Sequence, residues 1–126
     1  MEINNKKILL VEDNVLNQQL TASILKREGY TADIAENGKV GVDLFKKNHY
    51  AVVLMDIQMP EMDGIQATRL IREYEKTNGG TKATIIAVTA HAQEEEKEIL
   101  FGAGMDMYLS KPFQPNELIS MIEGNN

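Results

Sequence analysis

AVVLMD, residues 51–56, sets five apolar side chains in a row and closes them with a carboxylic acid. A short apolar run with two valines predicts a strand, and the lack of apolar–polar alternation predicts burial on both faces, as in a parallel sheet. The acid at its end is the anomaly. A carboxylate at the mouth of a buried strand is costly unless a cation meets it, so Asp56 needs partners from elsewhere in the chain.

Outward from this run the same unit repeats in kind. Upstream, Ile8-Leu9-Leu10-Val11 predicts a first strand, and Leu16, Leu20 and Ile24 follow at helical spacing with Asn14 as N-cap and Gly29 as stop. Thr31 to Ala35 is the next extended segment, and Asn37-Gly38 breaks the chain before a helix carrying Val40, Leu44 and Phe45. Downstream, a loop with Pro60 and Gly64 leads to a helix with Ala67, Leu70 and Ile71 on one face, closed at Asn78-Gly79-Gly80. Thr84 to Val88 predicts a fourth strand. A helix around Gln93 to Phe101 follows, with a thin apolar stripe of Ile99 and Leu100 behind Glu94-Glu95-Glu96, acids that suit the positive end of a helix dipole. Gly102 and Gly104 end it, Met107-Tyr108-Leu109 predicts a short fifth strand, and Pro115 opens a last helix with Leu118, Met121 and Ile122 inward. Five strands alternating with five helices imply an α/β fold with a parallel sheet, right-handed crossovers and helices on both faces.

The 126 residues suit one domain, read here as residues 1–126, with no internal repeat, linker or low-complexity tract. Hydrophobic residues at 43% and charged residues at 25% match an ordinary globular protein rather than a disordered one. A net charge of -6 would repel a phosphate backbone, so direct nucleic-acid binding is not expected. The absence of cysteine excludes disulfides, thiolate metal sites and cysteine nucleophiles. Met1 to Lys7 is polar and the first apolar run is short, which fits neither a signal peptide nor a membrane span, so a cytoplasmic location is expected.

In an open α/β sheet the ligand crevice lies beyond the carboxyl ends of the strands. The first strand ends in Glu12-Asp13, the third in Asp56, the fourth in Thr89 and the fifth in Ser110-Lys111-Pro112. Taken singly each has a plainer explanation: a surface acidic pair or helix cap for Glu12 and Asp13, an ion pair with Lys111 for Asp56, an ordinary strand-end threonine, a solvated lysine. As a set they describe one reaction. Three acids from neighbouring strand ends form a hard-oxygen cluster suited to Mg²⁺. Asp56, already ionised, attacks phosphorus and holds the phosphoryl group as an acyl phosphate, while Lys111 and the Thr89 hydroxyl meet its oxygens. Glu12, longer than an aspartate, is expected to reach the ion through water, with Asp13 and Asp56 as the direct ligands.

The quartet of segments Ile8-Leu9-Leu10-Val11-Glu12-Asp13-Asn14, Met55-Asp56-Ile57-Gln58-Met59-Pro60-Glu61-Met62-Asp63-Gly64, Val88-Thr89-Ala90 and Tyr108-Leu109-Ser110-Lys111-Pro112-Phe113 resembles the receiver domains of two-component signalling, over nearly the whole chain. The resemblance implies a flavodoxin-like (βα)5 doubly wound sheet in the order 2-1-3-4-5. It implies Asp56 as phosphoacceptor from a histidine kinase or histidine phosphotransfer domain, and Mg²⁺ held by Glu12, Asp13, Asp56 and the Gln58 backbone carbonyl. It further implies a switch through Thr89 and Tyr108, acting on the surface of the fourth helix, fifth strand and fifth helix and able to drive dimerisation. Gln58 and His91 match positions that tune dephosphorylation, and Lys111-Pro112 should be cis. His49 reads as surface. The wording around Asn14, Asn17 and residues 55–64 is most similar to receivers of hybrid histidine kinases. Two alternatives stay open at this level, a pseudo-receiver that only binds and an aspartate-nucleophile phosphohydrolase; the latter usually carries a second acid where Gln58 stands.

Overall fold

The structure is a computed structural model that describes residues 7–57, 59, 62–79, 82–90 and 94–124. Strand and helix alternate along it: β1 Lys7–Val11, α1 Val15–Arg27, β2 Thr31–Ala35, α2 Gly38–Lys47, β3 Val52–Asp56, α3 Gly64–Asn78, β4 Thr84–Thr89, α4 Glu94–Ala103, β5 Met107–Ser110 and α5 Pro115–Ile122. The five strands are all parallel in the order β2-β1-β3-β4-β5. The α/β architecture and strand order are those expected. β3 ends in Asp56 and β4 in Thr89, as expected.

Side chains of a strand point alternately to its two faces, so each central strand feeds two cores. Leu9, Val11, Val53, Met55, Ile85 and Ala87 pack on one side with Val42 and Phe45 of α2, Ala67 and Ile71 of α3 and Leu100 of α4. Ile8, Leu10, Val52, Leu54, Ile86 and Val88 pack on the other with Leu25 of α1 and Leu118 and Ile122 of α5. This double demand is why residues 52–55 read as an unbroken apolar run.

Helix starts are fixed by short polar side chains. Asn14, Asn37 and Asp63 each accept a hydrogen bond from the backbone N–H three residues on, at 2.9 Å. The structure adds which way two of the apolar patterns face. Leu16 and Leu20 do mark the helical turn spacing of α1, but they are 63% and 57% exposed, and the buried side of α1 is Thr21 and Leu25. In α4 Leu100 is buried while Ile99 is exposed. His49 lies on the surface as expected. Lys111-Pro112 is cis.

Candidate functional site

The carboxyl ends of β1, β3, β4 and β5 lie side by side because the register pairs Val11 with Met55, Asp56 with Val88 and Thr89 with Ser110. Backbone bonds extend this alignment past the strands: the Ile57 N–H donates to Val88 O at 3.2 Å and the Lys111 N–H to Thr89 O at 2.8 Å. The residues that the sequence places at strand ends therefore converge on one crevice.

Glu12 and Asp56 are each only 5% exposed and Thr89 2%, whereas Asp13 faces solvent. One carboxylate oxygen from each of Glu12, Asp13 and Asp56 lies within 4.8 Å of the others. The Lys111 ammonium stands 3.3 Å from Glu12 Oε1 and 3.5 Å from Asp56 Oδ1. One ammonium among three carboxylates leaves an uncompensated negative pocket, with oxygen donors of the kind a hard divalent cation takes. The donor set thus fits Mg²⁺. Glu12 is held at both ends: its Oε2 accepts from the Asn14 N–H at 3.1 Å, and its carbonyl oxygen accepts from the Gln18 Nε2 amide at 2.7 Å.

Gly64 holds Asp56 from behind. A Cβ there would collide with the Asp56 carbonyl oxygen and sit 2.9 Å from Met55 Cγ, so only glycine lets α3 begin against the end of β3.

Tyr108 is half-buried on β5. The Phe101 ring meets it edge-on at 6.2 Å and the Lys97 ammonium lies 4.5 Å from its ring centre, both from α4. Gln58 and His91 lie outside the described residues.

Sequence reasoning did not single out three features. Gln18 is an ordinary amide on a helix and carries no local signal of its bond to Glu12. Leu16 and Leu20 sit on a surface that is uncharged from Asn14 to Leu25, a run unusual in a chain with 25% charged residues, and that run was the available signal. Third, a cavity of about 570 Å³ opens between α1 and α5, lined by Leu20, Ile24, Leu54, Phe113 and Leu118, with Glu12, Asp56 and Lys111 at one end.

Residues 8–123 match the family model described as "Response regulator receiver domain". The chain belongs to the response regulator receiver domain family. The receiver domain is 42% identical over 127 residues to hybrid signal transduction histidine kinase B of Dictyostelium discoideum, an alignment that covers 94% of this chain and 6% of that protein. The chain thus spans a small fraction of the curated relatives it matches. Among solved structures, it resembles the receiver domain of a sensor histidine kinase from Pseudomonas aeruginosa PAO1 that has a magnesium ion coordinated in its active site cleft. That likeness has 37% identity and a TM-score of 0.85, covering 94% of this chain and 95% of the other. It also resembles the Saccharomyces cerevisiae receiver domain of the response regulator Ssk1, co-crystallised with the histidine phosphotransfer protein Ypd1, at 31% identity and TM-score 0.91, covering 97% and 89%. The receiver domain is accordingly a signalling module of two-component systems. Among its described residues, no helix is long and apolar enough to cross a membrane.

Proposed function

We propose that this receiver domain takes a phosphoryl group from a phosphohistidine onto Asp56, within a cytoplasmic phosphorelay. The observation that carries the proposal is a nearly buried Asp56 carboxylate with an ammonium 3.5 Å away and two further acids around it. Glu12, Asp13, Asp56 and, by family resemblance, the Gln58 carbonyl would hold Mg²⁺. When bound, the ion supplies the positive charge that lets an anionic phosphoryl group approach three carboxylates.

The transfer balances without a general base. An Asp56 carboxylate oxygen forms the new O–P bond as the N–P bond of the phosphohistidine breaks, and its electron pair returns to the departing imidazole nitrogen. Lys111 offsets charge on the phosphoryl oxygens and the Thr89 hydroxyl donates to one of them. With phosphoryl present, Thr89 moves toward it and Tyr108 turns inward. This is a population shift between two packings that alters the α4–β5–α5 surface and can favour a dimer there. Slow hydrolysis, tuned from Gln58 and His91, resets the domain.

The donor is proposed to be a histidine kinase or a histidine phosphotransfer domain that docks on α1. Support comes from the uncharged outer face of that helix, where Val15, Leu16 and Leu20 are exposed and Leu20 also lines the cavity that reaches Asp56. A small acyl-phosphate donor with Mg²⁺ is expected to add one phosphoryl group to the intact protein and none to Asp56→Asn. A full mass shift in that variant would overturn the assignment.

A further inference from the structure

We infer that Gln18 is a positioning residue for the acidic pair, a role that rests on the Mg²⁺ reading proposed above. The segment Glu12-Asp13-Asn14 leaves the sheet at the end of β1 and must turn into α1 with its carboxylates aimed at Asp56. Glu12 is still tied to the sheet edge by its N–H, which donates to Ala35 O at 3.0 Å. Its carbonyl, one peptide further on, is tied instead to a side chain from the second turn position of α1, Gln18 Nε2 at 2.7 Å. Gln18 is half-buried and lies on the inward flank of the helix, away from exposed Gln19.

The bond closes a small ring of contacts. Gln18 fixes the Glu12 carbonyl, the Glu12 carboxylate accepts from the Asn14 N–H at 3.1 Å, and the Asn14 side chain caps α1 by accepting from the Asn17 N–H at 2.9 Å. The peptide between Glu12 and Asp13 is therefore held from the helix side. That peptide sets the separation of the Glu12 and Asp13 carboxylates, which together with Asp56 lie within 4.8 Å. Outer partners that orient ligands govern metal affinity strongly even though they touch no metal. Gln18 bonds the Glu12 backbone carbonyl rather than a carboxylate oxygen, so its effect acts through the backbone of Glu12.

The test compares wild type, Gln18→Leu, Gln18→Glu and the control Gln19→Leu in two measurements. Amide exchange of the metal-free protein reads the Asn14 N–H directly, and a Mg²⁺ binding isotherm followed at the Asp13 and Asn14 amide resonances reads affinity. Gln18→Leu should speed Asn14 exchange several-fold with β3 amides unchanged, and should weaken Mg²⁺ binding about tenfold. Gln18→Glu keeps the shape, removes the donors and adds negative charge at pH 8. Charge alone would tighten Mg²⁺ binding, whereas loss of the hydrogen bond weakens it, and weakening is expected. Gln19→Leu should match wild type. Unchanged Asn14 exchange, or tighter Mg²⁺ binding by Gln18→Glu, would overturn the proposal. If wild type itself shows no saturable Mg²⁺ response at Asp13, the metal reading fails, while the exchange data still decide whether Gln18 anchors the turn.

Discussion

Lys111 is the residue on which the electrostatics of the crevice turn, because it contacts both Glu12 and Asp56. An ammonium in the same pocket opposes a cation but favours a phosphoryl group. Lys111→Met is therefore expected to bind Mg²⁺ several-fold more tightly by isotherm, and to accept phosphoryl groups about a hundredfold more slowly by rapid-quench measurement. Loss of both together would place Lys111 in a purely structural role. At the opposite end of the sheet, Tyr50 is buried and donates to Asp33 Oδ2 at 2.7 Å; burial first, and then the Asp33 carboxylate, push its phenol well above the ordinary tyrosine range. A group whose folded pKa is raised stabilises the fold fully below its unfolded pKa, about 10 for tyrosine, and that contribution is lost as pH climbs from there toward the folded value. Urea midpoints of the wild type should fall above about pH 10, while those of Tyr50→Phe start lower and fall less steeply. Parallel curves would remove Tyr50 from the account.

Arg72 shows how the elements are tied together away from the crevice. From α3 it donates to Gly104 O, Ala83 O, Glu75 Oε1 and Asp106 Oδ2 at 2.6–2.8 Å, and Asp106 Oδ2 also accepts from the Ile85 N–H. Gly104, with φ of +113°, lies so close that a Cβ there would sit 2.7 Å from Arg72 Cγ. The turn between α4 and β5 is thus clamped to α3 and to the start of β4. Arg72→Met leaves Glu75 and Asp106 without this partner and should cost about 3 kcal/mol in urea unfolding; a cost under about 1 kcal/mol would mean the clamp is not structural. The elements themselves were legible because strands buried on both faces leave apolar runs and helix starts carry Asn or Asp caps. The clamp was not, since a single arginine in a polar helix carries no sign of the four acceptors that folding brings to it. The spacing of Leu16, Leu20 and Ile24 marked α1 as a helix but not which of its faces is buried, because helical spacing reports periodicity and an exposed apolar stripe has the same period as a buried one.

At the scale of the whole molecule, the large apolar side chains left exposed among the described residues are Val15, Leu16 and Leu20 on α1, Ile34 on β2, and Ile99 and Phe101 on α4. The α1 and α4 groups lie on different helices, which suits separate surfaces for donor and output. Leu16→Glu with Leu20→Glu should slow phosphoryl transfer from a phosphohistidine protein about tenfold or more while leaving transfer from a small acyl phosphate within about twofold. Equal loss with both donors would remove α1 as the docking face. The convergence of acids and lysine was legible in the sequence because the parallel topology brings every strand's carboxyl end to one side. The cavity beside them was not, because its lining is assembled from residues of α1, β1, β3, β4 and α5 that only the fold brings together.

The central claim is that Asp56 carries the phosphoryl group as an acyl phosphate. Reduction of the phosphorylated protein with borohydride converts an aspartyl phosphate to homoserine, and peptide mass spectrometry then locates it. Homoserine is expected at position 56 alone; homoserine at Asp13 or another acid, or a phosphoryl group on a histidine or hydroxyl side chain with Asp56 unchanged, would contradict the assignment.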